Sequence, residues 1–284
     1  IYALRSYKKN LLDEHRNIDL IREKAVLTEI SQKNYPNIVK FYGSFEDNDA
    51  YYLVLEYLQI QNLQQFTKDK KGANNINNIE EPIIINILKQ ILKILIFLHN
   101  ECHVMHRDIM PINFIIDEDY NIVLIELILS VYLKNENPSL VSRKSLKGPI
   151  KYVPPEILLS PPPRNYDYKI DVFELGCTMF YLMNGHLPFN TKRNLENSTY
   201  IREESPSNNN YYSKWLVDFV KLLYENNPSK RPTALEALNI LDNLIMKQQN
   251  NNINLNNMDN NNLNLNIIII MLIILLLIII LIMK

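Results

Sequence analysis

Polar and apolar residues alternate along IYALRSY (1–7), the period of a strand with one buried face. Over residues 11–33 the spacing turns helical, with Leu20, Ile21, Leu27 and Ile30 set among charges. NIVKFYGSF (37–45) and AYYLVLEYL (50–58) predict two strands around the turn EDND at 46–49, where Asp and Asn tolerate turn geometry. GANNINNIEE (72–81) is a polar connection, and Pro82 opens a strongly apolar helix through Asn100. Short strands at 114–116 and 122–125 flank the turn DEDYN. From 166 onward the pattern is helical, interrupted by a polar stretch at 190–213, with helices around 215–224 and 233–246. Strands come first and helices follow, so the expected fold is α+β, a small sheet-bearing lobe joined to a larger helical one.

Composition sharpens this. Thirty Lys and Arg against thirty-one Asp and Glu, a net charge of −1, give no electrostatic footprint for nucleic acid. Two cysteines, Cys102 and Cys177, cannot make a disulfide framework and suit a reducing compartment. Only five glycines occur, never as G-x-G, so no glycine-rich phosphate cradle is present. The chain enters a strand at Ile1, as expected of a shortened start, and no leader can be read from it.

The end of the chain has a different character. Residues 247–266 are expected to be a disordered linker, since eleven of the seventeen residues from 250 to 266 are Asn. Residues 267–283 are seventeen consecutive apolar residues. As a helix they would reach roughly 25 Å, against about 30 Å of hydrocarbon core, with insertion favourable by roughly 5–10 kcal/mol. Lys284 would snorkel at the far face. The expectation is a single-pass C-terminal membrane anchor with the folded domain in the cytosol.

The chemistry concentrates in HRDIMPINFII (106–116). This segment resembles the catalytic loop of eukaryotic protein kinases, H-R-D-L-K-P-x-N. Glu126 follows Asn113 by thirteen residues, where that family places the Asp of D-F-G, and KYVPPEIL (151–158) stands at A-P-E. DVFELG (171–176), GHLPF (185–189) and KRPTALEAL (230–238) follow in the family's order, and YALR (2–5) resembles the V-A-I-K strand. The resemblance covers residues 1–246. It implies a two-lobe kinase-like fold with a truncated N-lobe sheet at 1–58 and a helical C-lobe at 59–246. Within the family, IREKAVLTEI (21–30) and SLKGPIKYVPPE (145–156) look most like the phosphoinositide-dependent kinases, with Ser145 at their phosphosite position.

The resemblance also fixes roles. Phosphoryl transfer asks the protein to hold ATP, place Mg²⁺ and stabilise charge on the moving phosphoryl group. Arg5 stands at the Lys that grips the phosphates, and the REKAVL match makes Glu23 its partner. A guanidinium is a planar fork where Lys is a compact point charge. Asp108 matches the base that accepts the substrate hydroxyl proton, and Asn113 a metal ligand. Met110 replaces the Lys facing the γ-phosphate and brings no charge. Glu126 keeps a carboxylate one methylene too far out for a cation as exacting as Mg²⁺. Ile128 replaces the glycine of D-F-G and closes any backbone state with φ > 0.

Losing one preorganised electrostatic contact costs about 2.7–4 kcal/mol, so the exchanges at 5, 110 and 126 reach at most roughly 8–12 kcal/mol. Half of that slows the reaction by about 10³–10⁴-fold. The chain therefore reads as an inactive serine/threonine kinase relative acting through protein partners, with ATP and Mg²⁺ held weakly at Arg5, Glu23, Asn113 and Glu126. The alternative is a slow but genuine protein kinase. Structural parts persist: Asp171 matches the helix residue that holds the H-R-D backbone, and Glu156 and Arg231 match a buried ion pair of the helical lobe. HNECHVMH (99–106) presents His99, Cys102, His103 and His106 at metal-ligand spacing. The kinase pattern already accounts for His99 and His106, so no metal site is assigned.

Overall fold

Strand β1 (Tyr2–Lys8) exposes Tyr2, Leu4, Ser6 and Lys8 and turns Ala3, Arg5 and Tyr7 inward. In this computed structural model the described residues are 1–59, 61–70, 79–133, 151–158, 167–189 and 211–251. β1 pairs antiparallel with β3 (Ala50–Glu56), and β3 with β2 (Phe41–Glu46), giving the order β1-β3-β2. Asp47 shapes the β2–β3 turn by accepting the N–H groups of Asp49 and Ala50 at 2.8 Å each. The strand predicted over 37–45 begins only at Phe41, which corrects that expectation. Asn37–Val39 instead bridge to β6 (Ile122–Leu124): Leu124 N donates to Asn37 O and Val39 N to Leu124 O, both at 2.9 Å. A partner distant in sequence captures this apolar run before the hairpin does.

Helix α1 (Glu14–Lys33) starts on Asp13, whose side chain accepts from Arg16 N at 2.8 Å. Its buried stripe is Leu20, Glu23, Leu27 and Ile30, so Glu23 holds a position whose spacing calls for an apolar residue.

The rest is mostly helical. Helix α2 (Leu63–Asp69) is capped by Asn62, and α3 (Glu81–Ile96) carries Pro82 in its first turn and runs into a π-helical turn at Phe97–Glu101. Two short ladders follow: β4 (Val104–Met105) with β7 (Val131–Tyr132), and β5 (Phe114–Ile116) with β6. Helices α4 (Pro155–Leu158), α5 (Lys169–Asn184), α6 (Lys214–Leu223) and α7 (residues 234–251) complete the described chain. Residues 1–238 form one compact unit and 239–284 a second. The α+β architecture expected from the sequence is present. Helix α7 runs through residue 251, five residues into the segment expected to be linker, because Lys247, Gln248 and Gln249 are good helix formers. The remainder of that segment, the apolar run 267–283, Ser145 and residues 71–78 lie outside the described residues.

Among the described residues, Glu81–Glu101 is the stretch long and apolar enough to cross a membrane. Ile84, Ile87, Leu88, Ile91 and Leu95 of that stretch are fully buried, which makes it a core helix. Helix α5 is buried on every side from Ile170 to Phe180. A Cβ at its Gly176 would meet Tyr224 N at 2.6 Å and Leu223 C at 2.9 Å, both backbone atoms. Gly176→Ala therefore has to push α6 away. It is expected to cost about 1–3 kcal/mol, read as a lower urea midpoint.

Candidate functional site

Side chains from β1, α1 and the loop after β6 meet at one point. Arg5 Nη1 donates to Glu23 Oε1 at 2.5 Å and to Glu126 Oε1 at 3.0 Å, while Nη2 donates to Ile125 O at 2.7 Å. Tyr7 Oη donates to the other Glu23 oxygen at 2.7 Å. Glu126 Oε1 also accepts the N–H groups of Leu127 and Ile128, each at 3.1 Å. The structure thus joins Arg5, Glu23 and Glu126 in one cluster, and Ile128 is not among the residues with positive φ.

Burial works to lower the Arg5 pKa, but the attraction of Glu126 and Glu23 outweighs it and the guanidinium is held charged. Burial also lifts the Glu23 carboxyl from 4.5 to about 7; Arg5 pulls it down and Glu126 pushes it up. Between those values the folded state binds more protons than the unfolded chain. The stabilising contribution is complete below 4.5 and is lost as the pH rises through about 7. The urea midpoint is expected to fall from about pH 5 to about pH 7.5, and Glu23→Gln to flatten that fall.

Arg5 also borders a cleft of about 370 Å³ whose walls include Ala3, Val39, Leu55, Ile115 and Ile125. Its rim is the chain leaving β3 at Glu56–Leu58.

The loop 106–113 lies on α5. Asp171 is fully buried and accepts His106 N at 2.8 Å, Arg107 N at 2.7 Å and the His99 ring Nε2 at 2.7 Å. Burial works to raise its pKa, but the bond from His99 and the nearby imidazoles hold it below the usual carboxylate range. These bonds fix Arg107 in the left-handed region at φ 66°, a conformation that persists only where its surroundings over-determine it. His106 has one tautomer that satisfies both neighbours. Nε2–H donates to Glu126 O at 2.6 Å, and Nδ1 accepts Asp108 N–H at 3.1 Å. Asn113 Nδ2 donates to Asp108 O at 2.8 Å and to Asp108 Oδ2 at 2.7 Å. Asp108 has a raised pKa, chiefly from burial, only partly offset by His106 and Asn113. Met110 places a thioether between them in sequence, where the motif would carry an ammonium.

Glu156 and Arg231 form a two-pronged ion pair, Nη1 to Oε1 at 2.8 Å and Nη2 to Oε2 at 3.2 Å. Of the four suggested metal-ligand residues, His99 is spent on Asp171 and His106 on Glu126 O, while Cys102 is fully buried. Among the described residues no group of three His, Cys, Asp or Glu can hold a metal ion.

Two polar residues escaped the sequence reading. Tyr7 orients Glu23. Glu174, buried in α5, accepts Ile109 N at 2.8 Å, and burial followed by repulsion from Asp171 pushes its carboxyl well up. Its signal was available: an acid three residues after Asp171 in an otherwise apolar helix, one turn along the same face.

Residues 1–241 match the family model described as a protein kinase domain. The chain is 25% identical over 227 residues to mitogen-activated protein kinase kinase kinase 5 of Arabidopsis thaliana, covering 78% of this chain and 30% of that protein. It is 28% identical over 246 residues to the human serine/threonine-protein kinase Nek10, covering 86% and 20%. Against a probable myosin light chain kinase of Dictyostelium discoideum it is 30% identical over 243 residues, covering 84% and 47%. The chain thus spans less than half the length of these relatives.

Proposed function

The chain belongs to the protein kinase family, with serine/threonine kinases among its relatives, and from that premise we propose a kinase-fold protein that has lost efficient phosphoryl transfer and acts by binding protein partners at a membrane. The observation that carries this reading is the commitment of Arg5: its guanidinium is shared between Glu23, Glu126 and the Ile125 carbonyl. Three of its five N–H groups point at these acceptors and not at a phosphate, and Met110 offers no charge. We also infer, from the residues at 21–30 and 145–156, a likeness to the phosphoinositide-dependent kinases.

What is retained supports a second reading, a slow kinase. Asp108 is oriented by Asn113, and the His106–Arg107 backbone is pinned by Asp171. One assay separates the two. Purified full-length chain, given radiolabelled ATP and a generic protein substrate, is expected to match the background of its Asp108→Ala variant. Turnover that vanishes in Asp108→Ala overturns the inactive reading.

The anchor is argued from the apolar run 267–283. After carbonate extraction of membranes the full chain is expected in the pellet, and a chain ending at residue 251 in the supernatant. Release of the full chain would remove the membrane from the proposal.

A further inference from the structure

The β1-β3-β2 sheet is apolar on both faces. Its inner face is taken, since Arg5 and Tyr7 turn inward from β1 and bond Glu23 of α1. On the outer face the register sets Leu4 opposite Val54 and Ser6 opposite Tyr52, then Val54 opposite Gly43 and Tyr52 opposite Phe45. Residues directly opposite one another share a face. Tyr42 joins them at the irregularity in β2, its ring edge-on to Tyr2 at 4.9 Å, and Phe45 stacks on Tyr52 at 4.8 Å. Tyr2 is 61%, Leu4 58%, Tyr42 55% and Phe45 51% exposed. Single apolar residues on a surface need no explanation, but a contiguous group of this kind marks a contact surface.

Size, chemistry and place in the chain point to a lipid surface as what covers it. Strands of seven, seven and six residues offer roughly 300 Å² of projected face at ~4.8 Å between strands and ~3.3 Å per residue. Even doubled for the relief of its side chains, that falls short of the ~800 Å² each partner contributes to a stable protein interface. A bilayer asks for no matched area. Tyrosine couples an apolar ring to a polar tip, the combination that settles at headgroup depth. Charge favours no strongly charged partner: Lys8 and Glu56 stand at opposite ends of the β1–β3 ladder, and Lys9 pairs with Glu46 at 2.7 Å. Residues 252–266 alone separate the described chain from the apolar run at 267–283, and even fully extended they reach at most about 50 Å. A run held in a bilayer keeps the fold near that surface, so a weak contact becomes intramolecular, at an effective concentration on the order of mM.

We propose that the outer face of the β1-β3-β2 sheet rests on the headgroup region of a zwitterionic bilayer, with Tyr2, Tyr42 and Phe45 entering it. This rests on the membrane anchor of the proposed function, and is independent of whether the chain transfers phosphate.

Fluorescence of the full chain reconstituted in phosphatidylcholine vesicles tests it, with bromine on the acyl carbons nearest the headgroups as quencher. Trp215 is the single native tryptophan, so a second one reports its own position once the wild-type emission is subtracted. Tyr42→Trp keeps an aromatic residue suited to the interface. Its added emission is expected to fall by about half in brominated vesicles, against less than about a tenth for Ile21→Trp, on the exposed side of α1. Equal quenching at the two positions, or none at position 42, overturns the proposal. Leu4→Glu added to Tyr42→Trp is expected to cut the quenching at least about threefold, and unchanged quenching would place the contact elsewhere and overturn it. Sodium chloride at about 0.5 M is expected to leave the quenching as it is, whereas its loss would mean that charge holds the contact, contrary to the proposal. Should Tyr42→Trp fail to fold, Phe45→Trp gives the same reading. Absence of quenching together with dimers in detergent that Leu4→Glu dissociates would assign the face to a second copy and overturn the lipid assignment. Pelleting of the full chain after carbonate without quenching at position 42 sinks this inference alone. Quenching by added vesicles in a chain that carbonate releases sinks the anchor alone.

Discussion

Replacing Arg231 by Met is expected to lower the unfolding free energy by about 3–5 kcal/mol, measured by urea denaturation followed by tryptophan fluorescence. Arg231 is 1% exposed, and its guanidinium serves several acceptors. Besides the two oxygens of Glu156 it donates to Lys169 O at 2.9 Å and to Glu225 O at 2.8 and 3.1 Å. Its flat face lies 4.8 Å from the centroid of the Phe173 ring on α5. Met fills similar volume but strands the Glu156 carboxylate, whose side chain is 14% exposed, along with two backbone carbonyls. The cost is the desolvation of groups left without donors, so it exceeds the net worth of the pair itself. Two controls separate these contributions. Glu156→Leu added to Arg231→Met removes the stranded charge and is expected to recover part of the loss. Lys214→Ala on α6 breaks the surface pair with Asp218 and is expected to change stability by under about 0.5 kcal/mol, because both partners stand in water. A loss at Arg231 no larger than at Lys214 would mean that the buried pair does not hold this part of the fold together.

The same contrast between local and long-range information explains what the sequence made legible. Helix α1, the β2–β3 hairpin and helix α3 were readable because their signals are local: a 3.6-residue stripe, an Asp-centred turn, and an apolar run opened by Pro82. Helix α7 was readable from its capping box, in which Thr233 N donates to Glu236 Oε2 at 2.8 Å and Glu236 N to Thr233 Oγ1 at 3.2 Å, though its far end was not. The β4–β7 ladder was invisible, since two residues carry no periodicity and their pairing closes a long loop. Helix α2 is barely two turns long, and Asn62 was its only boundary signal. At the site, motif spacing gave the identities of Arg5, Glu23, Asp108, Asn113 and Glu126. It could not give their joint geometry. That one guanidinium spans Glu23 and Glu126 depends on how β1, α1 and β6 pack, and those segments lie up to 121 residues apart. The displacement of 37–39 from β2 to β6 has the same origin: the strand signal was present, and tertiary pairing chose its partner.

The variant Arg5→Lys/Met110→Lys/Glu126→Asp is expected to transfer phosphate about 10²–10³-fold faster than the wild type, measured as single-turnover labelling of a protein substrate with radiolabelled ATP and magnesium. Each exchange answers a particular obstacle. Lys at position 5 is a compact charge that can pair with Glu23 and still face a phosphate, where the present fork turns three of its five N–H groups to two acids and a carbonyl. Asp at position 126 withdraws the carboxylate by one methylene from the Leu127 and Ile128 amides that now hold it. Lys at position 110 supplies charge between Asp108 and Asn113, whose mutual bond at 2.7 Å already orients the base. Each contact alone would be worth about 2.7–4 kcal/mol, and because such groups act as a unit the combined gain is set well below their sum. Adding Asp108→Asn to the triple variant removes the proton acceptor and is expected to return labelling to the wild-type level. Met110→Lys by itself is expected to do little while Arg5 and Glu126 remain locked together, so a full gain from that single change would move the obstacle from the Arg5 cluster to position 110. No gain from the triple variant, with its fold intact by circular dichroism, would mean that these three side chains are not what holds the reaction back.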